Sequence, residues 1–264
     1  MIKQAYLLSI LSLMSFYTLA ATTADAPPPA MSAYLSPQAY DHDGVNDTVY
    51  QMLTEAGKTE GFRGGKTQRA WELHQSLEQQ AKKLDSLYLF APLINRQGWL
   101  PPVIAEATSM ATITDKQMRT ANHVYNILVS ERFVSNPPSW RQYLFAGLSV
   151  RTVPEDNVSP SNREERTIWQ NAIKKGWQEG RQSADDTLAA NFNRLTRDYT
   201  GMLRYSLLLK QNMISPPVVN EQLQSVSGNR EQLMLGDKVR DLKQRAGFDL
   251  DKKRWQPVIQ TGRN

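Results

Sequence analysis

The chain contains no cysteine and only three histidines, His42, His74 and His123. The first absence excludes disulfides, thiolate metal sites, a cysteine nucleophile and lipid attachment through a cysteine of this chain. The second leaves few candidates for a histidine base, and none of the three has a catalytic neighbour pattern around it. No Gly-x-Ser-x-Gly elbow, Walker loop, Rossmann fingerprint or His-Glu-x-x-His is present. Proline is missing from Ser161 through Ser215, so nothing in that stretch forces the backbone out of a helix.

Apolar runs are short as well. The longest opens the chain: Lys3 is followed by Ala5 to Phe16, too short to span a bilayer comfortably, and Thr18-Leu19-Ala20 offers small residues where a signal peptidase reads. Residues 1–20 therefore read as an export signal cleaved after Ala20. Residues 21–47, with Pro27-Pro28-Pro29, read as a flexible tether rich in proline, alanine and threonine. The formal charge of +5 fits a solvated surface, or a basic patch facing anionic lipid, peptidoglycan or nucleic acid.

The proline-free stretch carries the strongest pattern. Ser161 with Glu164 gives a capping box, and Trp169, Ile173, Trp177, Ala184, Leu188, Phe192, Leu195, Tyr199, Met202 and Leu203 keep a helical beat. A continuous helix would run roughly 75 Å, long for a compact domain. The glycines at 176 and 180, or the polar stretch Ser183 to Asp186, predict a break. Upstream, Thr48 to Gly57 predicts a short helix, Phe62-Arg63-Gly64-Gly65 a loop, and Thr67 to Phe90 an amphipathic helix bearing Trp71, His74, Leu77, Ala81, Leu84 and Leu87 on one face. His74 on that stripe reads as a core or boundary histidine rather than a ligand. Asp41-His42-Asp43-Gly44 reads as an acidic turn, since its spacing completes no ligand set.

One phrase recurs. Pro101-Pro102-Val103-Ile104-Ala105-Glu106 is echoed by Pro216-Pro217-Val218-Val219-Asn220-Glu221. Two prolines end a helix and start the chain extended, and the β-branched residues then favour a strand. The second copy leads to Ser227-Gly228-Asn229 and a return segment up to Leu242, a hairpin signature. After the first copy, Met118 to Val129 fits either a return strand or a helix. Whether six shared positions reflect duplication or chance stays open. A third pair, Pro137-Pro138, introduces a short helix or wedge from Ser139 to Phe145, in which Trp140, Tyr143 and Leu144 pack together.

The carboxylate pairs Asp185-Asp186 and Glu164-Glu165 are adjacent on a helix and point about 100° apart, which suits solvated charges rather than an acid/base couple. Arg194, Arg197, Tyr199 and Arg204 read as a solvated flank beside an apolar stripe, not a nucleic-acid face, and Arg197-Asp198-Tyr199 as an ion pair beside a buried aromatic. No catalytic, cofactor or metal residues are assigned.

The runs Trp99 to Ile104, Arg132 to Leu144, Lys175 to Gly180, Arg194 to Met202 and Met213 to Val219 together resemble the DotC family of type IVB secretion systems and I-type conjugation machines. The likeness covers roughly Trp71 to Val258. It implies a periplasmic, non-enzymatic part of an outer-membrane core complex that works with DotD-like and DotH-like partners, within a ring-shaped hetero-oligomer. Family members are lipidated on a cysteine, whereas here Ala20-Ala21-Thr22-Thr23 stands at that place, so attachment to the outer membrane would come through partners. The motif residues carry over as structural or interface positions: Trp99, Pro101, Pro102, Pro137, Pro138, Trp140, Trp177, Arg197, Tyr199, Pro216 and Pro217.

The expected architecture is α+β: residues 48–258 form a helix-rich single domain with a long central helix, continuous or broken, packed on a small antiparallel sheet of two hairpins. Residues 259–264 are a frayed tail. The expected role is structural, with no direct nucleic-acid contact. The alternatives are a cell-wall-binding or cell-wall-modifying protein of the same machinery and a DNA-contacting channel element.

Overall fold

The computed structural model describes residues 27–35, 46–149 and 158–256. In chain order its elements are α1 Met31–Leu35, α2 Asp47–Gln79, α3 Ala81–Leu87, β1 Trp99–Leu100, β2 Val103–Thr114, β3 Gln117–Val129, β4 Arg132–Phe133, α4 Trp140–Leu144, α5 Arg163–Lys210, β5 Ile214–Ser215, β6 Val218–Gly228, β7 Leu233–Gln244 and β8 Gly247–Phe248. The fold is α+β, with the long helix at its centre and small antiparallel sheets around it. The expected signal segment, most of the expected tether, the expected acidic turn at Asp41 to Gly44 and the expected tail lie outside the described residues.

α5 is one unbroken helix of 48 residues, about 72 Å long. The expected break does not occur, because Gly176, Gly180 and Ala184 face α2 and are buried there. Tertiary packing of that face supplies the stability that glycine subtracts locally. The capping box lies one residue later than expected: the Asn162 side chain accepts from Glu165 N at 2.8 Å, and Glu165 Oε2 accepts from Ser161 N at 2.7 Å.

α2 corrects three expectations. Its 33 residues absorb the short helix at Thr48, the supposed loop at Phe62 to Gly65 and most of the amphipathic helix, which ends at Gln79 and resumes only as α3. Gly61 and Gly65 are helical, and their use is close approach rather than backbone freedom. A Cβ on Gly61 would collide with the Ile173 carbonyl, and one on Gly176 with the Lys58 carbonyl. Likewise Gly65 abuts the Trp177 carbonyl and Gly180 the Phe62 carbonyl. These contacts are reciprocal, so α2 and α5 run parallel and in register about a local twofold axis. Residue 58 matches 173 and 62 matches 177, a spacing of 115.

The same spacing holds through the strands. β1 pairs with β4 (Trp99↔Phe133, Leu100↔Arg132) as β5 pairs with β8 (Ile214↔Phe248, Ser215↔Gly247). β2–β3 and β6–β7 are antiparallel hairpins, and each has its register shift at the first strand's root, Val103/Ile104 and Val218/Val219. Even Val134 N donating to Gly98 O is repeated by Asp249 N donating to Met213 O. The echoed Pro-Pro phrase is thus the visible part of a structural repeat spanning both helices and both hairpins. Strand wins over helix at Met118 to Val129 because Thr114↔Gln117 closes a two-residue turn and β2 offers a full ladder. The hairpins do not join into one four-stranded sheet: each long strand pairs only with its hairpin mate.

The core follows the helix pair. Leu77, Leu84, Phe90, Leu100, Trp140, Leu144, Leu195 and Met202 form one cluster, and Trp99, Ile104, Tyr205, Leu208 and Ile214 the next. A third holds Tyr34, Leu53, Trp169, Ile173 and Trp177.

Candidate functional site

The eleven motif residues do not converge on one site. Trp99, Pro101, Pro102, Trp140, Trp177 and Pro217 are buried. Trp140 donates its indole N–H to Asp85 at 2.7 Å, with the Arg141 guanidinium 4.2 Å over its ring. Trp177 sets its ring edge-on to Tyr34, centroids 5.3 Å apart. Tyr199 is half-buried between Tyr88 and Phe90, and its neighbour Asp198 takes Arg197 at 2.7 Å. Pro137, Arg197 and Pro216 are exposed, and Pro138 half-buried. Most of these residues hold corners and helix contacts together.

Charged side chains are paired in small networks. Glu106, the last residue of the first Pro-Pro phrase, accepts from Tyr125 OH at 3.0 Å, His123 Nδ1 at 3.1 Å and Arg204 Nε at 3.1 Å. The Tyr125 hydroxyl, with His123 and Arg204, holds its carboxyl below the usual range. Glu221 occupies the matching place and takes Arg240 at 2.8 Å and Lys238 at 3.0 Å, and Arg240 first, then Lys238, lower its pKa. Between the helices, Glu72 binds Arg181 at 2.8 Å and Arg69 at 2.8 Å, and Arg69 reaches Asp185 at 2.9 Å. Arg181 first, then Arg69, depress the Glu72 pKa against its burial. Asp186 turns away to Gln182, so the adjacent aspartates diverge as their helical spacing predicts. Glu165 is spent on the helix cap while Glu164 faces solvent. His74 stacks on Phe145 at 3.7 Å, and burial pushes its pKa down, favouring the neutral ring. Among the described residues no three His, Asp or Glu side chains are placed to hold a metal ion.

The exposed surface concentrates on the hairpins. Past their roots, both are open to solvent on both faces. Their tips carry large apolar side chains: Ile113 and Met118 on the first, Val226, Leu233 and Leu235 on the second. Ile113 lies opposite Met118 and Val226 opposite Leu235, so each tip presents a cross-strand apolar pair on one face. A two-stranded ribbon is marginal alone in water, and its outer edges keep unpaired backbone groups. Apolar patches of this kind mark contact surfaces.

Two clefts stand out among the described residues. One, of about 580 Å³, lies between the first turns of α2 and α5 and is lined by Tyr50, Thr54, Glu164, Ile168, Asn171 and Lys175 among others. A smaller one of about 220 Å³ sits where α5 meets β5, beside Asp249 and Arg254. Each contains a single carboxylate, so neither offers the paired acids of a glycan-cleaving site.

Sequence reasoning missed the helix crossing, although its signal was present. Gly61-Phe62-Arg63-Gly64-Gly65-Lys66 and Gly176-Trp177-Gln178-Glu179-Gly180-Arg181 share the pattern glycine, aromatic, two residues, glycine, basic residue, at the same 115-residue spacing as the Pro-Pro phrase.

A parallel helix pair carrying two β-hairpin arms defines a scaffold of duplicated plan. The chain belongs to a type IV secretory system family associated with conjugal DNA-protein transfer, whose family model matches residues 47–257. None of the curated proteins matches it. Among the described residues no helix is long and apolar enough to cross a membrane.

Proposed function

We propose that this chain is a structural component of the periplasmic and outer-membrane core complex of a type IVB secretion or I-type conjugation system. It is exported through residues 1–20 and positions DotD-like and DotH-like partners at the outer membrane within a ring-shaped assembly, without turnover chemistry of its own. The observation carrying this reading is the pair of apolar-tipped hairpins, open on both faces, mounted on a helix pair whose contacts are dense and glycine-fitted. Such arms are incomplete as isolated ribbons and become complete when neighbouring subunits cover them. The resemblance to the DotC family supplies the partner classes, and the family match places the chain in conjugal transfer. With no cysteine to acylate, attachment to the outer membrane runs through those partners.

Membrane fractionation tests this. With the whole transfer apparatus expressed, the chain co-fractionates with outer membrane, and with the partners deleted it moves to the soluble periplasm. A chain that stays soluble beside its complete machinery, or that clears peptidoglycan in a zymogram, overturns the proposal.

A further inference from the structure

The twofold relation between α2 and α5 creates two matching grooves, one on each side of the helix pair. One is filled within the chain. There α1 lies over Leu53, Trp169 and Trp177, presenting Met31, Tyr34 and Leu35, an i, i+3, i+4 apolar face. The Trp169 indole N–H donates to the Tyr34 carbonyl at 3.0 Å and so grips the backbone of α1. Glu60 stands close enough to the Tyr34 hydroxyl to raise its pKa, after burial.

The matching groove is the cleft of about 580 Å³. At the 115-residue spacing its Ile168 takes the place of Leu53, Thr54 of Trp169, Glu164 of Val49, Asn171 of Ala56 and Lys175 of Glu60. Three differences describe what would fill it. Threonine replaces the indole, so the groove is roomier where Trp169 stands on the other side. The Thr54 hydroxyl is buried and has no hydrogen-bond partner, at the position whose counterpart donates to a helix carbonyl; such an orphan is unfavourable until it is paired. Lys175, exposed and lining the cleft, replaces an acid with a base.

The geometry points to this cleft as the docking groove for a short helix of another protein. That helix presents an i, i+3, i+4 apolar face with an aromatic residue to fill the space above Thr54, a backbone carbonyl for the Thr54 hydroxyl, and an acidic residue for Lys175. The inference names a contact for the assembly role proposed above, yet it is tested on a different readout.

The experiment places the photo-crosslinker benzoylphenylalanine at Asn171 of the full-length chain, in cells carrying the complete transfer machinery. The expected product is an adduct to a different protein, mapped to a short segment with the stated apolar face and an acidic residue. A synthetic peptide of that segment then binds the purified full-length chain. Thr54→Trp, which rebuilds the indole and fills the groove, weakens binding about tenfold or more, and Lys175→Glu weakens it several-fold. Asn171→Arg, at an exposed site, gives the same test should Thr54→Trp fail to fold. An adduct only within the chain or to a second copy, no adduct at all, or a peptide whose affinity ignores these substitutions overturns the inference. Outer-membrane fractionation is read separately, so loss of the groove contact and loss of the assembly role are told apart.

Discussion

Both hairpins leave the helix pair through the same Pro-Pro corner, yet their roots are held very differently. In the first, Val103 is 1% exposed and lies on α5 at Gly201, where a Cβ would come within 2.6 Å of the Val103 side chain. In the second, Val218 is 51% exposed. The cause lies in the helices. α5 runs unbroken to Lys210 and covers its hairpin, and Arg204 reaches both Glu106 and, at 2.7 Å, the Ile104 carbonyl. Its counterpart stops at Gln79, resumes briefly as α3 and ends at Leu87. Ser86 stands where α5 has Gly201. One plan used twice therefore yields one anchored arm and one loosely rooted arm.

Substitutions at matched positions can break this contrast. The largest effect is expected at Trp177, 2% exposed and packed on Tyr34, against its half-buried counterpart Phe62. Trp177→Ala should cost about 3–5 kcal/mol in chemical denaturation and Phe62→Ala about half that. A Trp177 loss below about 1 kcal/mol would place the indole at a surface and make it an interface residue. Next comes Gly201→Leu, which should cost about 1–3 kcal/mol by prising the first hairpin off α5. Ser86→Leu should stay within about 0.5 kcal/mol, because no hairpin root presses on it. Equal effects would remove the asymmetry.

Smaller still is the double change Leu233→Ser with Leu235→Ser at the second tip, where Leu235 is 73% exposed. Stability should move by no more than about 0.5 kcal/mol while co-purification with partners falls. The least effect is pH-dependent and belongs to one half only, since His74 has Ala189 as its counterpart. Burial lowers the His74 pKa from its usual 6.5, so the unfolded chain takes up the proton first. The stability this group contributes is complete above that value and is lost as pH falls below it. His74→Gln should flatten the slope of stability between about pH 7 and pH 5, and an unchanged slope would contradict the assignment.

The second hairpin was legible because Pro-Pro, β-branched residues and a Ser-Gly-Asn turn state their consequence locally, whereas in the first only the outgoing strand was, since Met118 to Val129 fits a helical beat as well. So was the short helix at Trp140, announced by Pro137-Pro138 and an apolar i, i+3, i+4 set. Glycine was misread for a physical reason. Alone in a sequence it signals freedom and weak helix, and both the loop at Phe62 and the break in α5 followed from that. Its role here is to admit a neighbour's carbonyl, and only the partner helix reveals that. The single four-stranded sheet failed for a related reason, as the sequence specifies each strand's hairpin mate but not whether two hairpins meet. The groove at Thr54 was invisible because its residues carry no motif and acquire meaning only through the twofold match to Trp169.

Amide hydrogen exchange, compared between the isolated chain and the chain in its purified transfer complex, separates an anchored arm from a loosely rooted one that its neighbours complete. The α2–α5 crossing should be protected in both states, and the second hairpin, residues 218–244, should exchange fastest alone and gain the most protection on assembly. Two equally protected hairpins in the isolated chain, or a second hairpin unchanged by assembly, would contradict that expectation.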